Sequence, residues 1–314
     1  MDALQGEGWP ERAIAGFWRR LGAFVIDVIL LGTVGLILGA LFFDTFARMG
    51  AYARLIGFAI ALAYFGILNS RIGGGQTLGK RWLGVRVVDA HGQLLALPRS
   101  LLRYAVLGIP FFANGLPVDP NLAMSTPLGY LLALVVFGGM FAIVYLYLFN
   151  RRTRQSLHDL AVGSYVERFD RAAQPVPFPI VWRGHMVALA VIAVIALSGP
   201  AVASRFAKSQ ALAGILPLYR SLSAQPHVMT VQVMRGWLSV NGTTTHSLQA
   251  ALQLDAPMTD DSAMAKRIAQ QMAKGDPDIA NEDAVVVVLV YGYDMGIASG
   301  WKKHGYRFKP DELQ

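Results

Sequence analysis

Between positions 21 and 43 the only charged residue is Asp27, and further apolar stretches follow at 54–70, 101–117, 128–149 and 186–203. A helix that crosses a bilayer needs about 20 mostly apolar residues. Inside hydrocarbon the backbone must also satisfy its own N–H and C=O groups. Runs of this length restrict the chain to an α-helical membrane bundle. Composition agrees: 54% of residues are hydrophobic and 15% charged, where a soluble domain carries about 25% charged residues.

The stretch at 101–117 is the least regular, because it holds Arg103, Pro110 and Asn114. Charge around it decides whether it crosses. The 71–100 loop carries Arg71, Lys80, Arg81, Arg86 and Arg99 against Asp89, and the 150–184 loop carries six arginines against three acids. Basic loops stay cytoplasmic, so the two stretches between these loops must both cross or both fail to. The expected architecture is a bundle of about five transmembrane helices with a small C-terminal α+β soluble domain. In this reading, residues 1–20 form a cytoplasmic N-terminal segment and 13–168 the main membrane domain. Residues 169–185 are a cytoplasmic linker, 186–203 the fifth span and 205–314 an extracytoplasmic domain. Such a chain is expected to be a multi-pass membrane protein with the N-terminus cytoplasmic and the C-terminal domain extracytoplasmic. The first twenty residues are polar and aromatic, and the run behind them is too long for a cleavable leader.

The tail has its own periodicity. Positions 228–240 and 244–254 are strand-like around Asn241-Gly242, a strong hairpin signal. Asp260 or Asp261 is placed to cap a helix over 262–274 whose Met264, Ile268 and Met272 form one apolar stripe. A continuous apolar strand runs over 284–291, and 306–308 reads as an edge strand. This order fits an antiparallel α+β layer domain. The segment 291–301, rich in glycine and aromatics, is read as a partner-binding rim or a bulged strand.

The net charge of +8 is concentrated in the membrane half, with 17 Lys/Arg against 10 Asp/Glu up to position 204 and 11 against 10 after it. That pattern suits cytoplasmic loops rather than nucleic-acid binding. Cysteine is absent, which excludes disulfides and thiol chemistry. The six histidines are scattered without metal-ligand spacing, so neither a metal, a cofactor nor a catalytic residue is expected. Glu282, Asp283, Asp294 and His304 read as surface charges. Gly74, Gly79 and Lys80 have the spacing of a phosphate-binding loop, but Arg81 stands where a magnesium-binding hydroxyl is needed and an apolar span precedes the glycines. Nucleotide binding is not expected.

Three blocks are chemically distinctive. The first is Gly16-Phe17-Trp18-Arg19-Arg20-Leu21-Gly22-Ala23-Phe24-Val25-Ile26-Asp27. The second runs from Gly75, Gln76, Gly79, Lys80 and Arg81 through Gly84 to Asp89. It suits a headgroup-level anchor followed by a small hairpin, with strands at 85–88 and 94–97 around a turn at 89–92. The third is Arg151-Arg152-Thr153-Arg154-Gln155-Ser156-Leu157-His158-Asp159-Leu160-Ala161-Val162-Gly163-Ser164. Together, over roughly residues 13–168, they resemble the RDD family of bacterial integral membrane proteins. The resemblance places the family's arginine and two aspartates at Arg20, Asp27 and Asp159. It implies a helical membrane domain, with ion transport suggested for some members.

Arg20 and Asp27 share a helix face but lie about 10.5 Å apart along the axis, so each needs a partner elsewhere. Arg20 is expected to reach headgroups or Asp159, and Asp27 to meet Arg103. His158, beside Asp159, is a candidate proton acceptor. Two readings compete. In the first, these charges lock the first helix to the cytoplasmic loops of a non-enzymatic membrane component, whose exported residues 205–314 engage an envelope protein. In the second, Asp27 is the protonatable site of a proton-coupled cation transporter.

Overall fold

The structure, a computed structural model, describes residues 14–169, 180–207, 215–240, 243–276 and 278–313. The Asn241-Gly242 turn and most of the 169–185 linker lie outside the described residues, as do residues 1–13. The chain divides into two compact units. One contains residues up to Val34, Arg54–Leu116 and Pro120–Pro200; the other contains Gly35–Ala53, Pro117–Asp119 and Ala201–Gln314.

Among the described residues, four helical stretches are long and apolar enough to cross a membrane: Phe17–Leu41, Phe43–Leu68, Pro127–Phe149 and Gly184–Ala207. The first is α1. The second is broken at Gly50, whose φ of +58° separates α2 (Phe43–Met49) from α3 (Ala53–Leu68). A short α4 (Leu78–Trp82) and strand β1 (Val85–Asp89) follow. The stretch expected at 101–117 folds earlier, as α5 (Leu97–Ala113), with proline in its first turn and Pro110 inside. At 17 residues it is about 25 Å long. After α6 (Pro120–Ser125), the third long stretch comprises α7 (Pro127–Ala133), a π turn and α8 (Gly139–Phe149). A Cβ on Gly139 would stand 2.8 Å from the Pro110 ring, so only glycine lets α5 and α8 approach there. Then come α9 (Leu157–Val162), β2 (Ser164–Arg168) and α10 (Gly184–Ala207).

The pairing of β1 with β2 joins distant parts of the first unit. The two strands are antiparallel, Val85 opposite Arg168 and Asp89 opposite Ser164. The loop after α3 and the loop after α8 therefore meet at one end of this unit. Both α5 and the long α7–α8 stretch lie between these two loops in the chain. The hairpin expected from 85–88 and 94–97 does not form. Its turn does: the Asp89 carboxylate accepts the His91 and Gln93 amides at 2.8 and 2.9 Å. Pro98, however, suits the first turn of a helix and commits Leu97 to α5. The buried side chains of Val85, Val87 and Val88 are instead closed in by pairing with β2, and Ala15, Ala23, Leu95, Val162 and Val166 complete the cluster around β1.

The second unit is a four-stranded sheet, β3 (Val228–Val240), β4 (Thr243–Leu254), β5 (Ala284–Asp294) and β6 (Ser299–Phe308), in that order. It is mixed rather than antiparallel. α12 (Ser262–Gly275) is the crossover between β4 and β5, which returns the chain parallel to β4. Asp261 caps α12 by accepting the Met264 amide at 2.8 Å, and Met264, Ile268 and Met272 are buried against the sheet. A helix absent from the sequence reading, α11 (Ile215–Ser223), adds Leu218 and Leu222 to the same core.

On β5, Val285, Val287, Leu289, Tyr291 and Tyr293 share one face. The first three pack in the core formed with α12. The last two are covered by residues from the connection between α1 and α3. Phe43 meets both tyrosine rings edge-on, and the Tyr291 hydroxyl donates to Asp44 at 2.9 Å. The Tyr293 hydroxyl sits 1.7 Å from where a Gly39 Cβ would be. The tail therefore closes its core with Gly35–Ala53. Residues 205–314 expressed alone should fold, yet bind a hydrophobic dye through the uncovered tyrosines. Tethering Gly35–Ala53 ahead of them should suppress the dye signal and raise the melting temperature by roughly 5–10 °C, as burial of one large side chain would. Equal melting of the two forms would contradict this coverage.

Candidate functional site

Charged residues gather at the end of the first unit where the two loops meet, and Asp159 is their centre. It lies in the first turn of α9 and is fully buried. One oxygen accepts from Arg20 Nη2 at 2.6 Å. The other accepts from Arg103 Nη2 at 2.6 Å, from Arg103 Nε at 3.0 Å and from the Ser164 hydroxyl at 3.1 Å. The Ser156 amide completes the set at 3.2 Å. Arg20 also donates to the Arg154 carbonyl. Burial alone would raise the carboxyl, but Arg103, His158 and Arg20 outweigh it and hold Asp159 well below the ordinary range. His158 Nε2 lies 3.6 Å from Asp159, while burial drives its imidazole down to about 3. His158 is therefore neutral at physiological pH.

Asp27 does not join this cluster. It is 1% exposed, and three donors surround it: the Tyr64 hydroxyl at 2.7 Å, the Thr77 hydroxyl at 2.6 Å and the Gly79 amide at 2.9 Å. The pairing of Asp27 with Arg103 is thus corrected, because Arg103 is committed to Asp159. Asp27 instead joins α1 to α3 and to the start of α4. A Cβ on Gly79 would lie 2.1 Å from the Ala23 carbonyl oxygen, which explains why glycine stands where the carboxylate approaches. In the phosphate-loop spacing, the Gly79 amide is engaged by a side chain of the protein itself.

The rest of the second block builds this corner. Gly75 has φ +73°, and its carbonyl accepts the Val87 amide at 2.8 Å. Gln76 donates to the Val85 carbonyl at 2.9 Å, and Gly84 turns the chain into β1 with φ +62°. Arg81 reaches the Gly73 carbonyl at 3.3 Å. Lys80 turns inward, donating to Asn69 at 2.6 Å and lying over the Phe65 ring; burial brings its ammonium down to about 7. Beside Arg20, Lys80, Arg103 and His158 there is a cavity of about 260 Å³.

Tyr64, Thr77 and Ser164 escaped the sequence reading as partners. A signal existed for Tyr64, the only hydroxyl-bearing side chain in α3. In the second unit Glu282, Asp283 and His304 do not converge on one another: Glu282, buried rather than at the surface, joins Asp276 and Asp278 around Arg235, Asp283 accepts the His246 amide, and His304 meets Asp260 at 2.8 Å.

Comparison with known proteins bears on the first unit. Residues 14–163 match the RDD family. An uncharacterized protein of Bacillus subtilis (strain 168), YckC, is 26% identical over 152 residues, covering 48% of this chain and 83% of its own. No family matches the region beyond, and no solved structure matches the chain.

Proposed function

We propose, from the premise that residues 14–163 are an RDD family domain, that this chain is a non-enzymatic component of the bacterial inner membrane. Its intramembrane and loop charges act as a structural lock, and its C-terminal unit engages another envelope protein. The observation that carries the lock is the saturation of both aspartates. Asp159 is shared by two guanidinium groups, and Asp27 is held by three donors from two other elements. Groups so fully engaged serve assembly more readily than exchange. Partner binding draws on β6, which is exposed along most of its length, and on the exposed Trp237 and Trp301. The Gly79–Asp27 bond argues against nucleotide at the glycine-rich turn, and the clustering of basic residues in the membrane half argues against nucleic acid.

The basic loops at 71–100 and 150–184 support an orientation with the N-terminus in the cytoplasm and, with α5 crossing as a fifth span, the C-terminal unit outside. A reporter that fluoresces only in the cytoplasm, fused after Gln314, should stay dark, while the same reporter fused ahead of Met1 should be bright. A bright C-terminal fusion would refute the export of this unit. In living cells, a photo-crosslinking residue at Trp301 should give one discrete adduct with an envelope protein, and none when placed at buried Leu252. Identical patterns from both positions would refute the partner role. The second reading, a proton-coupled cation transporter, rests on the depth of Asp27 in α1 and is tested below.

A further inference from the structure

The cavity beside the charged cluster has walls and floor of different chemistry. Its floor carries Arg20, Lys80 and Arg103, and a single carboxylate, Asp159, pairs with both arginines. Among the described residues, the ammonium of Lys80 has one hydrogen-bond acceptor, Asn69. His158 also lines the space, is 7% exposed, and its Nδ1 has no hydrogen-bond partner among the described residues. The walls are apolar and aromatic, including Leu107 and Tyr104. Phe24, Val144 and Leu148 line the same cavity and are 42, 54 and 47% exposed, on helices whose exposed faces meet lipid. The cavity thus couples a cationic, partly unsatisfied base to a rim continuous with the bilayer.

We propose that this cavity is a binding site for one anionic phospholipid, its phosphate on Lys80, Arg20 and Arg103 and the start of an acyl chain among the apolar walls. Charge complementarity selects the head: two guanidinium groups and an ammonium converge where the protein supplies two carboxylates, Asp159 on the arginines and Asp27 near Lys80, and phosphate is the natural complement of the cation left over. The rim selects a lipid over a free anion. A volume of about 260 Å³ is small beside the roughly 300–1,000 Å³ of complete ligand pockets. It therefore holds the headgroup and the first part of a chain, leaving the remainder in the membrane. Basic pockets between membrane helices bind lipid headgroups on the same principle. The site rests on the lock reading, which holds Arg20 and Arg103 in place, and needs no partner for the outer unit.

The test uses the full chain purified in detergent. Titration with phosphatidylglycerol should raise its melting temperature, and native mass spectrometry should retain one lipid per protein. Phosphatidylcholine and inorganic phosphate, the zwitterionic and chain-free probes, should do neither. Lys80→Gln keeps a donor for Asn69 but removes the charge, and should weaken phosphatidylglycerol binding about tenfold or more. Leu107→Trp keeps every cation, fills the cavity, and should abolish retention. Equal stabilisation by phosphatidylcholine or by phosphate alone would overturn the proposal, as would wild-type lipid affinity in either variant.

Discussion

Asp159→Asn should cost the protein about 3–5 kcal/mol, the penalty for leaving buried charge without its partner. The amide is nearly the same size as the carboxylate, so the loss is electrostatic. Arg20 and Arg103, both almost fully buried, would share an uncharged oxygen, and the amide nitrogen would face a guanidinium donor. Membrane-inserted yield should collapse, and the residual protein should melt far below wild type. Adding Arg103→Gln should recover part of the loss by removing one orphaned cation. A wild-type melting temperature in Asp159→Asn would refute the buried ion pairing. The same cluster predicts an acid response. His158 titrates near 6.5 when unfolded but is held down to about 3 when folded, so below about pH 6.5 only the unfolded chain gains its proton. Stability should therefore fall as pH drops from 6.5 toward 3, and His158→Gln should flatten that slope. The contribution of Asp159, whose folded carboxyl is held low, is present above its unfolded value and lost only at still lower pH.

Asp27→Asn comes next in size, at about 1.5–3 kcal/mol, the worth of a hydrogen bond to a charged group. An amide offers one acceptor where Tyr64, Thr77 and Gly79 now share two. Its nitrogen would face one of three donors, loosening the contact of α4 with α1. Because Arg103 lies on Asp159, Arg103→Gln should add its own loss to Asp27→Asn. Rescue by that second change would restore the pairing expected from sequence and contradict this geometry. Gly79→Ala should reproduce the loss without touching a charge, since its methyl would meet the Ala23 carbonyl.

The helices were legible because hydrocarbon leaves the backbone little choice, and α12 because a cap and an apolar stripe coincide. The partner of Arg20 was also within reach: its place at the start of α1 makes a loop carboxylate accessible, and Asp159 receives it. Axial spacing gives depth on one helix but not how helices are rotated about one another. That is why Arg103 was matched to the wrong aspartate and Tyr64 was passed over. The β1–β2 pairing joins segments far apart in sequence, and local turn chemistry at 89–92 pointed to a nearer strand instead. The docking of Phe43 and Gly39 on Tyr291 and Tyr293 was hidden for a further reason. An apolar stretch next to a membrane span carries no mark that its end belongs to a different core.

The lock and the transporter part company in one measurement on sealed vesicles containing the purified protein and a trapped pH dye. The lock predicts that sodium or potassium gradients across wild-type vesicles give the same pH trace as across empty ones, while detergent-solubilised Asp27→Asn melts below wild type. A cation-dependent pH signal in wild type that disappears in an Asp27→Asn protein of unchanged melting temperature would contradict it.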